Sequence, residues 1–181
     1  MQNKLLKSLI ASSMVLAALG CAPSDGQKSN SPTNTQSTNA AKSQATPSNK
    51  FTAADIAKLK WIEGTWRGMD GDKPFYERYK FEDTTMVVES LKEDGSPDGE
   101  PGRFELKNGE FGQGEGEKRS AASEIGDSFV QFVPAVAGKG NNYRFERQSG
   151  GTWIAILEWT ASANKSAQQK VYRMERWEPK K

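Results

Sequence analysis

The chain from Phe51 to Lys181 predicts an all-β domain of about 8–10 short antiparallel strands, arranged as an up-and-down barrel or a sandwich and preceded by one short helix. Three observations carry this. Apolar residues recur at every second position through most of the segment, the spacing of strands with one buried face. Gly, Pro, Asn and Asp interrupt these runs at short intervals. Only one stretch, Ile56, Leu59 and Ile62, has helical spacing. Roughly 130 residues suffice for one domain with one core. No internal repeat is present, which argues against propellers and solenoids.

The elements follow in order. Thr52 is a plausible N-cap with Asp55 at the third helical position, so a helix is expected from Thr52 to about Ile62, ended by Gly64. Phe75 to Phe81 alternates, and Glu82-Asp83-Thr84 reads as a turn. Thr85 to Leu91 is the next strand, centred on Met86, Val87 and Val88. Lys92 to Gly102 reads as a polar loop. Arg103 to Lys107 sets Phe104 and Leu106 on one face, and Asn108-Gly109 is a two-residue hairpin signal. Glu110 to Arg119 is glycine-rich and a weakly marked strand, and Ser123 to Val133 holds one or two strands. Gly138 to Asn142 is a loop, Tyr143–Arg147 and Trp153–Trp159 form a hairpin around Ser149-Gly150-Gly151, and Lys170 to Trp177 is the last strand. Closing such strands into a barrel removes exposed sheet edges.

Residues 1–20 read as a lipoprotein signal peptide. Lys4 and Lys7 precede an apolar run from Leu9 to Leu19, which is shorter than the roughly 20 residues that span a bilayer core. Ala18-Leu19-Gly20 then leads into Cys21, the one cysteine of the chain. The expected product begins with lipid-modified Cys21, anchored by several acyl chains because a single chain holds only marginally. Such a chain has no thiol left for a disulfide, a nucleophile or a metal. Ala22 follows Cys21, which in a two-membrane bacterium favours the outer membrane, facing the periplasm. Residues 22–50 contain no Val, Ile, Leu, Met or aromatic residue, so 21–50 reads as the lipidated cysteine and a disordered tether, with a reach of roughly 30 Å. Residues 51–181 are the domain.

The formal charge of +2 comes from 25 basic against 23 acidic residues. Loss of Lys4 and Lys7 brings the rest to neutrality, and Lys28, Lys42 and Lys50 against Asp25 in the tether leave the domain slightly acidic. Such a domain lacks the basic footprint of a nucleic-acid binder.

The run Leu59-Lys60-Trp61-Ile62-Glu63-Gly64-Thr65-Trp66 resembles the opening of small lipocalin-like (calycin) barrels, where Gly-x-Trp follows a short helix and starts the first strand. It is similar above all to uncharacterised bacterial lipocalin-like domains, often lipoproteins. Glu77-Arg78-Tyr79, Thr85-Met86-Val87-Val88 and the Arg147–Trp153 hairpin fit them too, whereas Phe132-Val133-Pro134-Ala135-Val136 stands where those domains often carry a His-Asp-Phe-Pro-like segment. The resemblance implies a closed barrel with Gly64 and Trp66 at its floor. It also implies a basic residue of the last strand packed over the indole. Arg173 and Arg176 are the candidates, and since they point to opposite faces at most one serves.

The chain has no histidine, which removes His-based catalysis, His-ligated zinc and a proximal haem ligand. No cofactor and no metal site is expected. Gly112 to Gly116 lacks the Lys-Ser/Thr of a phosphate loop and reads as a hairpin. Glu77, Glu89 and Glu158 would make an acid–base pair only if two shared a lumen, and solvent or an arginine neighbour is the simpler fate. Acidic stretches at Asp94–Glu100 and Glu110–Glu117 read as solvated loops. The chain therefore reads as a non-enzyme. Five Trp, eight Phe and four Tyr either fill a core or line a cavity. In the cavity case, Glu77, Tyr79, Met86, Val88, Trp153 and Leu157 would bind a small hydrophobic ligand. In the filled case the barrel is a structural or interaction module, with the loop from Lys92 to Gly102 or the Gly-rich hairpin as its contact surface.

Overall fold

The computed structural model describes residues 50–159 and 166–179. Ten antiparallel strands close in chain order, with β1 (Gly64–Asp70) between β2 (Lys73–Glu82) and β10 (Gln168–Arg176). Between them run β3 (Thr85–Leu91), β4 (Gly102–Lys107), β5 (Glu110–Gln113), β6 (Ser120–Ile125), β7 (Phe129–Pro134), β8 (Asn142–Arg147) and β9 (Trp153–Trp159). The domain is thus an up-and-down barrel, consistent with a lipocalin-like fold, and the sandwich alternative is set aside. The signal peptide, Cys21 and the tether lie outside the described residues.

The helical segment divides in two. Helix α1 (Ala53–Ala57) is capped by Thr52, whose hydroxyl accepts from Asp55 N–H while the Asp55 carboxylate accepts from Thr52 N–H. This reciprocal pair satisfies donors that an open helix end would leave bare. From Lys58 to Ile62 the chain tightens to a 3₁₀ turn, and Ile56, Leu59 and Ile62 are all buried across one end of the barrel. The Phe51 amide donates to Gly109 O at 2.7 Å, so the chain enters the domain at that same end.

Strand alternation sends one side of each strand inward. An eight-stranded barrel is about wide enough for ordinary side chains to fill, so ten strands demand bulk. Eight aromatic side chains supply it: Trp66, Trp153, Tyr79, Tyr143, Phe104, Phe111, Phe132 and Phe145 are each under 2% exposed. Asn108-Gly109 makes the two-residue turn between β4 and β5 with positive φ at both residues (55° and 83°), the geometry that matches strand twist.

Three stretches differ from expectation. The weakly marked strand from Glu110 to Arg119 is only the four residues of β5, followed by a 3₁₀ turn at Gly116–Lys118. At Gly112 a Cβ would run into the Ser120 carbonyl, so glycine is what lets β5 approach β6. A register shift between Ala122 and Glu124 breaks the alternation of β6. The segment from Lys92 to Pro101 is folded back onto the barrel wall. Leu91 bridges to Pro97, Asp98 N–H donates to Ser90 O at 2.8 Å, and Arg78 reaches Gly95 O at 3.3 Å. That packing accounts for the burial of Leu91, which points outward from β3; Val87, also outward and buried, lies between Lys80 and Arg103 on the neighbouring strands.

Candidate functional site

All six residues expected to line a lumen face the interior. Glu77 and Tyr79 come from β2, Met86 and Val88 from β3, Trp153 and Leu157 from β9. Each is only 0 or 1% accessible. A side chain bordering a space as large as one water molecule would be accessible to it, so these six pack against other atoms. Trp153 shows how: its ring meets Trp66 at 5.9 Å, Tyr79 at 5.4 Å, Phe145 at 5.2 Å and Trp61 at 6.3 Å, all edge to face. These are separations at which aromatic pairs attract beyond simple burial. A second group surrounds Phe132, which stacks on Tyr143 at 4.7 Å and touches Phe104 at 5.0 Å.

Polar groups sit within this apolar filling. Glu77 is buried on β2, and the Tyr79 hydroxyl donates to its Oε2 at 2.8 Å. Burial first, and then the neighbouring Glu77 charge, hold the Tyr79 phenol well above its ordinary pKa, so it stays a donor. Across the barrel, Gln113 of β5 donates to the Tyr143 hydroxyl of β8 at 3.3 Å, and burial pushes that phenol up as well. Ser90, the cross-strand neighbour of Glu77, is buried too. Sequence reasoning missed Gln113, Ser90 and Tyr143. The Tyr143-Arg144-Phe145 alternation marked Tyr143 as inward, but Gln113 lay hidden among glycines.

The floor settles the two arginines. The Arg176 guanidinium lies 3.9 Å over the Trp66 ring and donates to Glu63 O at 2.7 Å. Trp66 Nε1 donates to Ile62 O at 2.7 Å, tying indole to helix. Gly64 has φ of 126°, and a Cβ there would occupy the Arg176 guanidinium's place. Arg173 faces outward, where it forms an ion pair with Glu175 at 3.6 Å. Arg176 is therefore the cation over Trp66.

The three glutamates considered as acid and base do not converge. Glu89 faces outward between Arg78 (3.2 Å) and Lys80 (3.1 Å), and exposed Glu158 accepts from Gln169 at 3.3 Å. In the acidic loops, Asp94 accepts from Ser96, and those hydrogen bonds hold its carboxyl below the usual range. Glu110 pairs with Arg119 and Glu117 with Lys139.

Comparison of the chain with protein-family models, with curated proteins and with solved structures finds no match. The functional reading therefore stands on residues and geometry.

Proposed function

We propose that this chain is a lipid-anchored envelope protein whose filled barrel works through its outer surface as a structural or interaction module. The near-zero accessibility of all six expected lining residues carries the reading: admitting a ligand would require displacing interlocked rings. The anchor is supported by the apolar run that leads into Ala18-Leu19-Gly20-Cys21 and by the polar stretch after it. The segment from Lys92 to Pro101, ordered by its own hydrogen bonds and by the wall beneath it, is a preformed contact surface. Fractionation of cells making the wild type and Cys21→Ser, with fatty-acid labelling, tests the anchor. The wild type is expected to carry label and sediment with membranes, and the variant to lose both. Equal membrane association and labelling of the variant would refute it.

A second reading is supported by the Glu77–Tyr79 hydrogen bond inside the apolar interior. Such a pair would orient the head of a small hydrophobic ligand if the rings around it moved aside.

A further inference from the structure

A surface pocket of about 300 Å³ opens at the helix-covered end of the barrel. It is bounded by Lys60 and Trp61 of the 3₁₀ turn, Trp66 of β1, Arg147 at the end of β8, the Gly150-Gly151-Thr152 hairpin and Arg176 at the end of β10. Three cations and no carboxylate line it. Among the described residues, six of eight arginines have a carboxylate within 4 Å. The two that have none are Arg147 and Arg176, and both line this pocket. Lys60 has no carboxylate partner either. Elsewhere the barrel neutralises its arginines locally; here it gathers like charges, which repel unless an anion sits among them.

The walls suit such an anion. Arg176 is held in place by Trp66 and by Glu63 O, so its guanidinium is ordered before any ligand arrives. Gly150 and Gly151 both have positive φ (75° and 73°), and a Cβ at either would meet nothing, so this side of the pocket stays open. The guanidinium fork matches oxyanions with two parallel hydrogen bonds, and a tetrahedral oxyanion has oxygens enough for three cations at once. The partly buried indole of Trp61 offers an apolar flank for the organic part of an ester.

We propose that this pocket is a binding site for a phosphate-bearing group. The inference stands on the pocket alone and is independent of whether the barrel interior takes a ligand. Its phosphate would come either from a soluble phosphate ester or from an anionic lipid headgroup.

The test follows tryptophan emission, since Trp61 and Trp66 line the site, in the full-length processed chain held in non-ionic detergent. One arm titrates inorganic phosphate and glycerol 3-phosphate; the other uses micelles doped with phosphatidylglycerol against phosphatidylcholine. Lys60→Gln, Arg147→Gln and the double variant change exposed side chains, and unchanged melting temperatures confirm that they fold. A saturable emission change in either arm, weakened about tenfold or more in the double variant, is expected from the loss of charge-assisted hydrogen bonds. The first arm responding identifies a soluble ester, the second a lipid headgroup. No saturable change in either arm, or the same affinity in the double variant, would overturn the proposal.

Discussion

The two halves of the barrel interior are built differently. Around the floor, tryptophans meet edge to face, α1 and the 3₁₀ turn bury Ile56, Leu59 and Ile62, and Arg176 seals the indole of Trp66. Away from it, the filling includes Gln113, Ser90, Asn141 and the hydroxyl of Tyr143, all buried. The floor is held by apolar contact, by one cation over one ring, and by the hydrogen bonds of Trp66, Arg176 and Tyr79. In the other half the Gln113–Tyr143 hydrogen bond joins β5 to β8, and losing one partner would leave a buried polar group unsatisfied, which costs more than a satisfied one contributes. Stability is therefore expected to respond most to ring truncation at the floor, and to alkaline pH through one buried tyrosine in each half, Tyr79 near the floor and Tyr143 further up.

Four outcomes sharpen that contrast. The largest is at Trp153, which touches four other rings: Trp153→Ala is expected to lower unfolding free energy by about 3–5 kcal/mol in denaturant titration. Next comes alkaline pH. Tyr79 and Tyr143 both have folded pKa values raised above that of an unfolded tyrosine. The unfolded chain loses these protons first, so their contribution is complete below about pH 10 and falls as pH rises beyond it, by about 1.4 kcal/mol per pH unit for each. Melting in alkaline buffer should show that slope, and Tyr143→Phe should reduce it. Third, Tyr79→Phe removes the hydroxyl that donates to Glu77 and is expected to cost about 1–3 kcal/mol at neutral pH. The smallest effects divide the arginines: Arg176→Ala should cost about 1–2 kcal/mol through lost cation–π and hydrogen-bond contacts. Arg173→Ala, an exposed pair, should stay within about 0.5 kcal/mol. Equal costs for the two would remove the floor's special standing.

Much of this was legible in the residues where one rule governed. Trp153–Trp159 is a strand with the limits its alternation suggests, because its inner and outer faces differ cleanly, and Thr85–Leu91 keeps its expected limits although two of its outward residues are buried. Asn108-Gly109 turns as that pair should. Legibility failed where tertiary contact decided. Gly112 is explained by the close approach of Ser120, which no local pattern displays, and the bulge in β6 hides the strand's period. Val87 reads as part of its strand's apolar centre, yet it points outward, as does Leu91, which is bridged by Pro97 of a folded-back segment on the outer wall. Lys60, Arg147 and Arg176 are far apart in sequence, and only closure of β10 on β1 brings them to one pocket. The six residues expected to line a lumen are all buried, but whether such residues surround space depends on neighbours such as Phe132 and Tyr143 across the barrel.

The central claim, an interior filled by its own side chains, is tested most directly by native mass spectrometry of the chain purified from its own host, with organic extraction of anything bound. The account predicts the mass of the chain alone, without a small apolar guest. A reproducible apolar molecule at near-stoichiometric occupancy, lost in Glu77→Gln, would contradict it and restore the lumen as a binding site.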